Sequence, residues 1–169
     1  MKANKIMITQ AELKELLTYN PETGIFNWLV KPSNRVNISD AVGSITDEGY
    51  IRISIKSKRY RAHRLAWLYI YAEHPKNVID HINHICDDNR IVNLREASRS
   101  QNGCNQGVNI ANTSGLKGVY WNKSANKWHA QIRMSGKKKY LGYYTDKNEA
   151  YQAYCKAADE YHKEFANYG

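Results

Sequence analysis

Apolar and polar positions change period several times along the chain, and each change marks a predicted element. In residues 8–17, Leu13, Leu16 and Leu17 make one apolar stripe. Thr9 is placed to cap it and Glu12, three residues on, to close a capping box, so the pattern predicts a short helix. Asn20, Pro21 and Gly24 mark a turn, and residues 25–30 read as a strand. Residues 30–44 are polar and irregular and predict a loop. Residues 50–61 alternate apolar and basic positions around Lys56, Ser57 and Lys58, the pattern of a hairpin. Residues 63–72 return to helical spacing, ended by the approach to Pro75. Residues 78–81 predict a short strand running into a polar loop, and residues 97–105 a short helix.

Residues 106–114 carry no charge and are rich in Asn, Gly, Ser and Thr, the composition of a connection between modules. Beyond it, strands are predicted at 118–121, 128–133 and 140–144, with a basic turn at 135–139. A helix then begins at Asp146, with Glu149 as its capping-box partner. Ala150, Ala153, Tyr154, Ala157, Ala158 and Tyr161 share one face of it, small enough for the helix to lie close against a three-stranded sheet. The expected class is α+β. The expected divisions are a helix and hairpin region at 1–49, a core at 50–107, a linker at 108–114 and a sheet-plus-helix module at 115–169.

Composition adds a partner. The 169 residues are 42% hydrophobic, enough for a core, and carry a formal net charge of +9 with a pI near 9.4. An anionic partner is expected, nucleic acid ahead of a membrane surface. The charge is uneven: residues 1–112 hold 15 Lys and Arg against 11 Asp and Glu, residues 113–169 hold 10 against 5. Cys86, Cys104 and Cys155 form no CxxC pair and cannot all pair with one another, which argues for a reducing compartment. The first residues lack an apolar secretory stretch, and no run approaches the roughly 20 apolar residues of a membrane helix. A cytoplasmic protein without membrane association is expected.

The chemistry concentrates in residues 79–105, IDHINHICDDNRIVNLREASRSQNGCN. Adjacent Asp80 and His81, then Asn93, then Asn102, with the flanks RAHRLAWLYIY and NLREASRSQN, resemble the HNH nuclease family, and within it the phage and intron-homing branch that lacks structural zinc. The resemblance spans about residues 50–105 and implies a ββα-metal core that hydrolyses phosphodiester bonds of double-stranded DNA. It implies that Asp80 and Asn102 are oxygen ligands of a divalent metal, Mg²⁺ or Mn²⁺. A hard cation of this kind keeps several waters and needs one or two protein groups. It implies that His81 is the catalytic general base, a role suited to an imidazole with an ordinary pKa near 6.5. It implies that Asn93 braces the loop and holds the histidine.

Plainer readings stand beside these. Taken singly, Asp80 is a turn cap and His81 a satisfied strand-end histidine. His84, where the family more often has glycine, is an extra phosphate or metal contact or a surface loop residue. His63 approaches the scissile phosphate or serves structure. Arg61, Arg64, Arg90, Arg95 and Arg99 contact phosphate or are solvated charges. His81, His84, Cys86 and Cys104 lie close together, but without paired-cysteine knuckles they argue against zinc. A DNA-binding regulator with an inactive nuclease core and a basic structural or RNA-binding protein remain as alternatives. Monomer and homodimer both stay open.

Within residues 115–169, KGVYW, WHAQIR, KYLGYY and EAYQAYCKAA resemble the plant APETALA or ethylene-response-factor DNA-binding domain. The resemblance implies a three-stranded sheet lying in the major groove, with Tyr120, Asn122, Gln131, Arg133 and Tyr140 as groove-facing residues. Lys123, Lys127, Lys137, Lys138 and Lys139 would add phosphate contacts. Tyr120, Gln131 and Tyr140 depart from the plant pattern at base-contacting positions, so the plant target sequence does not transfer.

Overall fold

The computed structural model describes residues 7–34, 36–134 and 136–169. The first six residues, part of the expected absence of a secretory stretch, and Ser135, in the expected basic turn, lie outside the described residues. By packing, the chain divides into two units, Met1–Glu96 and Ala97–Gly169. It is mixed α and β throughout, with small sheets and four α-helices among the described residues. None of those helices is long and apolar enough to cross a membrane.

The first unit opens with α1 (Gln10–Leu16), capped as its sequence predicts: Thr9 accepts from the Glu12 amide while the Glu12 carboxylate accepts from the Thr9 amide. The expected stripe then leaves the helix. Leu17 begins a strand, β1 (Leu17–Tyr19), which pairs antiparallel with β2 (Phe26–Trp28). Between them Asn20 Oδ1 accepts from the amides of Glu22 and Thr23, and Gly24 closes the turn at φ +74°. Here only glycine fits, because a Cβ would stand 2.5 Å from the Arg90 nitrogen.

A three-stranded antiparallel sheet follows, in the order β3 (Ser44–Ile45), β4 (Ile51–Ile55) and β5 (Lys58–Arg61). Lys56 and Ser57 both take positive φ, +46° and +62°, the geometry that matches a two-residue hairpin to the twist of its strands. β5 runs directly into α2 (Ala62–Tyr71), which Ala72 ends in the left-handed conformation. One core joins these pieces: Leu13, Leu17, Phe26, Ile53, Leu65 and Leu68 are all at most 2% exposed. The described residues up to 49 are thus packed into the same unit as the hairpin and α2. β6 (Val78–His81) and β7 (Leu94–Ala97) form a two-stranded sheet, joined by a loop and a single 3₁₀ turn, Ile91–Asn93.

The second unit begins earlier than composition suggests. α3 (Arg99–Cys104) carries a capping box between Ser98 and Gln101. The charge-free stretch after it is tied to the C-terminal module rather than left as a free linker. Lys117 Nζ donates to the carbonyls of Cys104, at 2.8 Å, and Gln106, and Asn167 Nδ2 donates to the Asn105 carbonyl at 2.7 Å. Asn112 Oδ1 accepts from the amides of Ser114 and Gly115. The low charge reflects backbone groups satisfied by amide side chains.

The module itself is a sheet of β8 (Val119–Asn122), β9 (Lys127–Met134) and β10 (Lys137–Tyr144), antiparallel in the order β10, β9, β8. α4 (Lys147–His162) packs on it and is capped by Asp146, whose Oδ1 accepts from Asn148 and Glu149. Ala150, Ala157 and Ala158 are buried with Val119, Ala130 and Ile132, so small side chains do bring the helix down onto the strands. The expected basic turn is shorter than 135–139: Lys137, Lys138 and Lys139 are strand residues, paired with Met134, Arg133 and Ile132.

Candidate active site

Asp80 and His81 stand at the end of β6, 6% and 5% exposed. Successive residues of a strand point to opposite faces, and the two side chains find different surroundings. Asp80 Oδ2 accepts from Arg95 Nε at 2.9 Å and pairs with Arg95 Nη2 at 2.8 Å, across the β6–β7 sheet. Arg95, left by sequence as a phosphate contact or a solvated charge, is instead mostly buried in this pair.

His81 lies among rings. Its ring centroid is 5.1 Å from that of His63, edge to face at 90°, and 5.8 Å from Tyr50, while His63 and Tyr50 are 5.3 Å apart. His81 Nε2 lies 3.4 Å from Asn89 Oδ1. An amide oxygen only accepts, so this contact requires the hydrogen on Nε2 and leaves the lone pair on Nδ1. Burial lowers the pKa of His81 below the ordinary imidazole value, outweighing the Asn89 contact and the carboxylates of Asp80, Asp88 and Asp87. His63 is pushed down to about 3, by burial first and then by His81 and nearby arginines. Its Nδ1 is buried without a hydrogen-bond partner. Both imidazoles are neutral at pH 7.

The loop from Ile82 to Asn93 is held mostly by its own members. Asn93 Oδ1 accepts from the Asn83 amide at 3.0 Å, its Nδ2 donates to the Asp88 carbonyl at 2.9 Å, and its carbonyl accepts from Ile82. Asp88 receives Arg90 and Asn83, and the Arg90 guanidinium holds its carboxyl well below the usual carboxylate range. His84 is exposed and takes φ +66°, a conformation that glycine adopts freely, which accounts for the glycine more usual there. From outside the loop, Tyr19 Oη donates to the Asn89 carbonyl at 2.7 Å and the Ile91 amide to the Pro21 carbonyl. The β1–β2 hairpin therefore holds Asn89, and Asn89 holds His81.

Of the remaining arginines in this unit, Arg61 pairs with Glu48 and Thr46, Arg64 donates to the carbonyls of Asn77 and Pro75, and Arg90 stays on Asp88. All three have protein partners, where sequence left each as a phosphate contact or a solvated charge. Asn102 is partly exposed on α3, in the second unit, with exposed Arg99 at the start of that helix. Among the described residues no group of three or more His, Cys, Asp or Glu could hold a metal ion. Asp80, the one carboxylate in the pair with Arg95, is a hard oxygen donor of the kind a divalent cation takes.

A family model described as HNH endonuclease matches residues 60–104, the segment that holds this geometry. Among curated proteins the chain is similar to Protein 3.8 of Escherichia phage T7, 35% identical over 81 residues, which cover 47% of this chain and 67% of that protein. The chain belongs to the family of that phage protein and carries an HNH endonuclease domain. No solved structure matches it. The HNH domain takes in β6, the bracing loop, β7 and α3, together with α2 before them.

The second unit presents a different surface. Cross-strand partners share a face, so the register sorts the candidates. Tyr120, Asn122, Lys127, Gln131, Arg133, Lys138 and Tyr140 fall on the face away from α4. His129 is at its centre, with Tyr120 stacked at 5.4 Å and Tyr143 and Tyr140 at 6.0 and 6.3 Å. Lys139 falls on the other face, where its Nζ meets Tyr161 Oη of α4 at 2.6 Å, and Lys137 shares its parity. Lys123 is exposed in the turn between β8 and β9.

His129 and Tyr143 were missed by sequence reasoning. Counting in twos from Gln131 reaches His129. Tyr143 needs the register shift between Tyr140 and Gly142, which moves it onto the face that simple alternation denies it. Asn89 and the pairing of Arg95 with Asp80 were also missed, and neither leaves a periodic signal.

Proposed function

We propose that this protein is a metal-dependent DNA endonuclease of homing type that nicks or cuts double-stranded DNA at preferred sites. The observation that carries the reading is a neutral, buried His81 beside Asp80 within the segment matched by the HNH endonuclease model. His81 takes the proton from the attacking water, and Tyr50, His63 and Asn89 fix its ring. Asn93 keeps the loop closed behind it. Asp80 would hold Mg²⁺ or Mn²⁺, which would supply positive charge for the phosphate and the leaving oxygen. In the second unit Arg133 stands directly opposite Lys138, a like-charge pair that costs stability until an anion lies between them. With Lys127, Lys123 and the rings of Tyr120 and Tyr140, that face supports the APETALA-type reading of residues 115–169 as the duplex-binding platform.

The test is supercoiled plasmid with Mg²⁺ or Mn²⁺, with and without EDTA, comparing wild type with His81→Ala. Metal-dependent nicking lost in the variant supports the reading. No nicking by well-folded wild type, with retained duplex binding, establishes instead a DNA-binding regulator with an inactive core.

A further inference from the structure

The Asp80–Arg95 pair has a consequence for the carboxylate that is to hold a cation. Both partners are largely withdrawn from water, with side-chain exposures of 7% and 16%. Two nitrogens of one guanidinium, Nε at 2.9 Å and Nη2 at 2.8 Å, converge on the same oxygen, Oδ2. Both residues sit on strands of one two-stranded sheet, so neither backbone needs to move for the contact to form or break. A guanidinium and a divalent cation compete for the lone pairs of one carboxylate oxygen, and charge-assisted hydrogen bonds of this kind are the strong ones.

We infer that Arg95 is a positioning residue that occupies Asp80 as an internal counter-ion and competes with the divalent metal. This rests on the reading of Asp80 as a metal ligand. Without metal, Arg95 neutralises the charge of this buried carboxylate and keeps its side chain turned along the sheet. A metal either displaces Arg95 hydrogen bonds from Oδ2 or binds Oδ1 against the charge of the guanidinium, and in both cases the pair lowers its affinity. Arg95 therefore sets the metal concentration at which the site fills while touching neither substrate nor metal.

The test is Mn²⁺ binding to the full-length protein without DNA, followed by the loss of the free Mn²⁺ electron paramagnetic resonance signal, alongside thermal unfolding with and without Mn²⁺. Arg95→Gln is expected to bind Mn²⁺ about ten- to a hundred-fold more tightly than wild type, from the strength of hydrogen bonds to charged groups. It should unfold at lower temperature in EDTA and recover more of that loss with Mn²⁺ than wild type gains. Arg95→Lys keeps the charge but cannot place two nitrogens in a fork, and should fall between the two. It also serves if Arg95→Gln does not fold. Mn²⁺ affinity in both variants equal to or weaker than wild type overturns the inference. Asp80→Ala separates the two levels: if it binds Mn²⁺ as wild type does, Asp80 is not the ligand and the metal reading itself fails. If it abolishes binding while the Arg95 variants change nothing, only the role of Arg95 falls.

Discussion

Acid should unfold the first unit earlier than its carboxylates require, through His63. This imidazole is 8% exposed, packed edge-on against His81 and Tyr50, and pushed down to about 3 from its ordinary 6.5. On unfolding it returns to the ordinary value. Between pH 6.5 and 3 the unfolded chain therefore carries a proton that the folded chain refuses. The contribution is fully present above pH 6.5 and is lost as the pH falls toward 3. At 1.36 kcal/mol per pH unit, the loss at pH 5 is about 2 kcal/mol, and it levels off near 5 kcal/mol once the folded form also protonates. His81, lowered in the same direction, adds to the slope. Urea denaturation at intervals from pH 7.5 to 5 measures this while ordinary carboxylates, near 4, stay ionised. His63→Phe keeps a ring in place and removes the proton site, so it should lose about 2 kcal/mol less than wild type across that interval. Equal losses in the two proteins would refute the reasoning.

Three further outcomes are expected. His81→Ala should lower cleavage by about 10²–10⁴, the usual worth of a positioned general base, while duplex affinity by gel shift stays within a few-fold of wild type. Arg133→Ala and Lys138→Ala should each flatten the dependence of log affinity on log salt by about 0.9, whereas Lys139→Ala, its ammonium held by Tyr161, should change it less. Gly118→Ala should destabilise the second unit by about 2 kcal/mol or more in thermal unfolding, because at φ +73° its Cβ would fall 2.1 Å from Tyr154 Cδ2 and 2.7 Å from the Gln131 carbonyl oxygen.

Where local periodicity and chemistry agree, sequence was enough. The capped first helix, the hairpin at 50–61, α2, and the sheet with its alanine-faced α4 all follow from spacing that each element satisfies by itself. It fell short where distant segments decide. Leu17 leaves the helical stripe because residues 26–28 offer a strand partner, and α1 and β2 join the first core because Leu13 and Phe26 bury in one cluster with Leu65 and Leu68. Within the candidate site, adjacent Asp80 and His81 were legible as a motif. The Arg95 fork, the Asn89 contact and the His63 ring come from a strand, a loop and a helix whose approach no spacing encodes. On the C-terminal sheet one bulge was sufficient to hide Tyr143.

The Ser98 cap of α3 also has a bearing on how the protein ages. Asn102 is followed by Gly103, the pair in which a side-chain amide most readily cyclises onto the next backbone nitrogen and hydrolyses to aspartate or isoaspartate. Beyond its chain neighbours and the helix's own backbone, nothing stands within 4 Å of where a Gly103 Cβ would be, so no side chain from elsewhere crowds that residue. What opposes the cyclisation is the helical backbone itself, which engages the Gly103 nitrogen and turns the preceding side chain away from it. In a helix of six residues that protection depends on the ends, and the N-terminal end is the reciprocal Ser98–Gln101 box. Fraying there would convert a neutral amide into a carboxylate during storage, visible as an acidic shift on isoelectric focusing, so Ser98 acts as a preservative of Asn102.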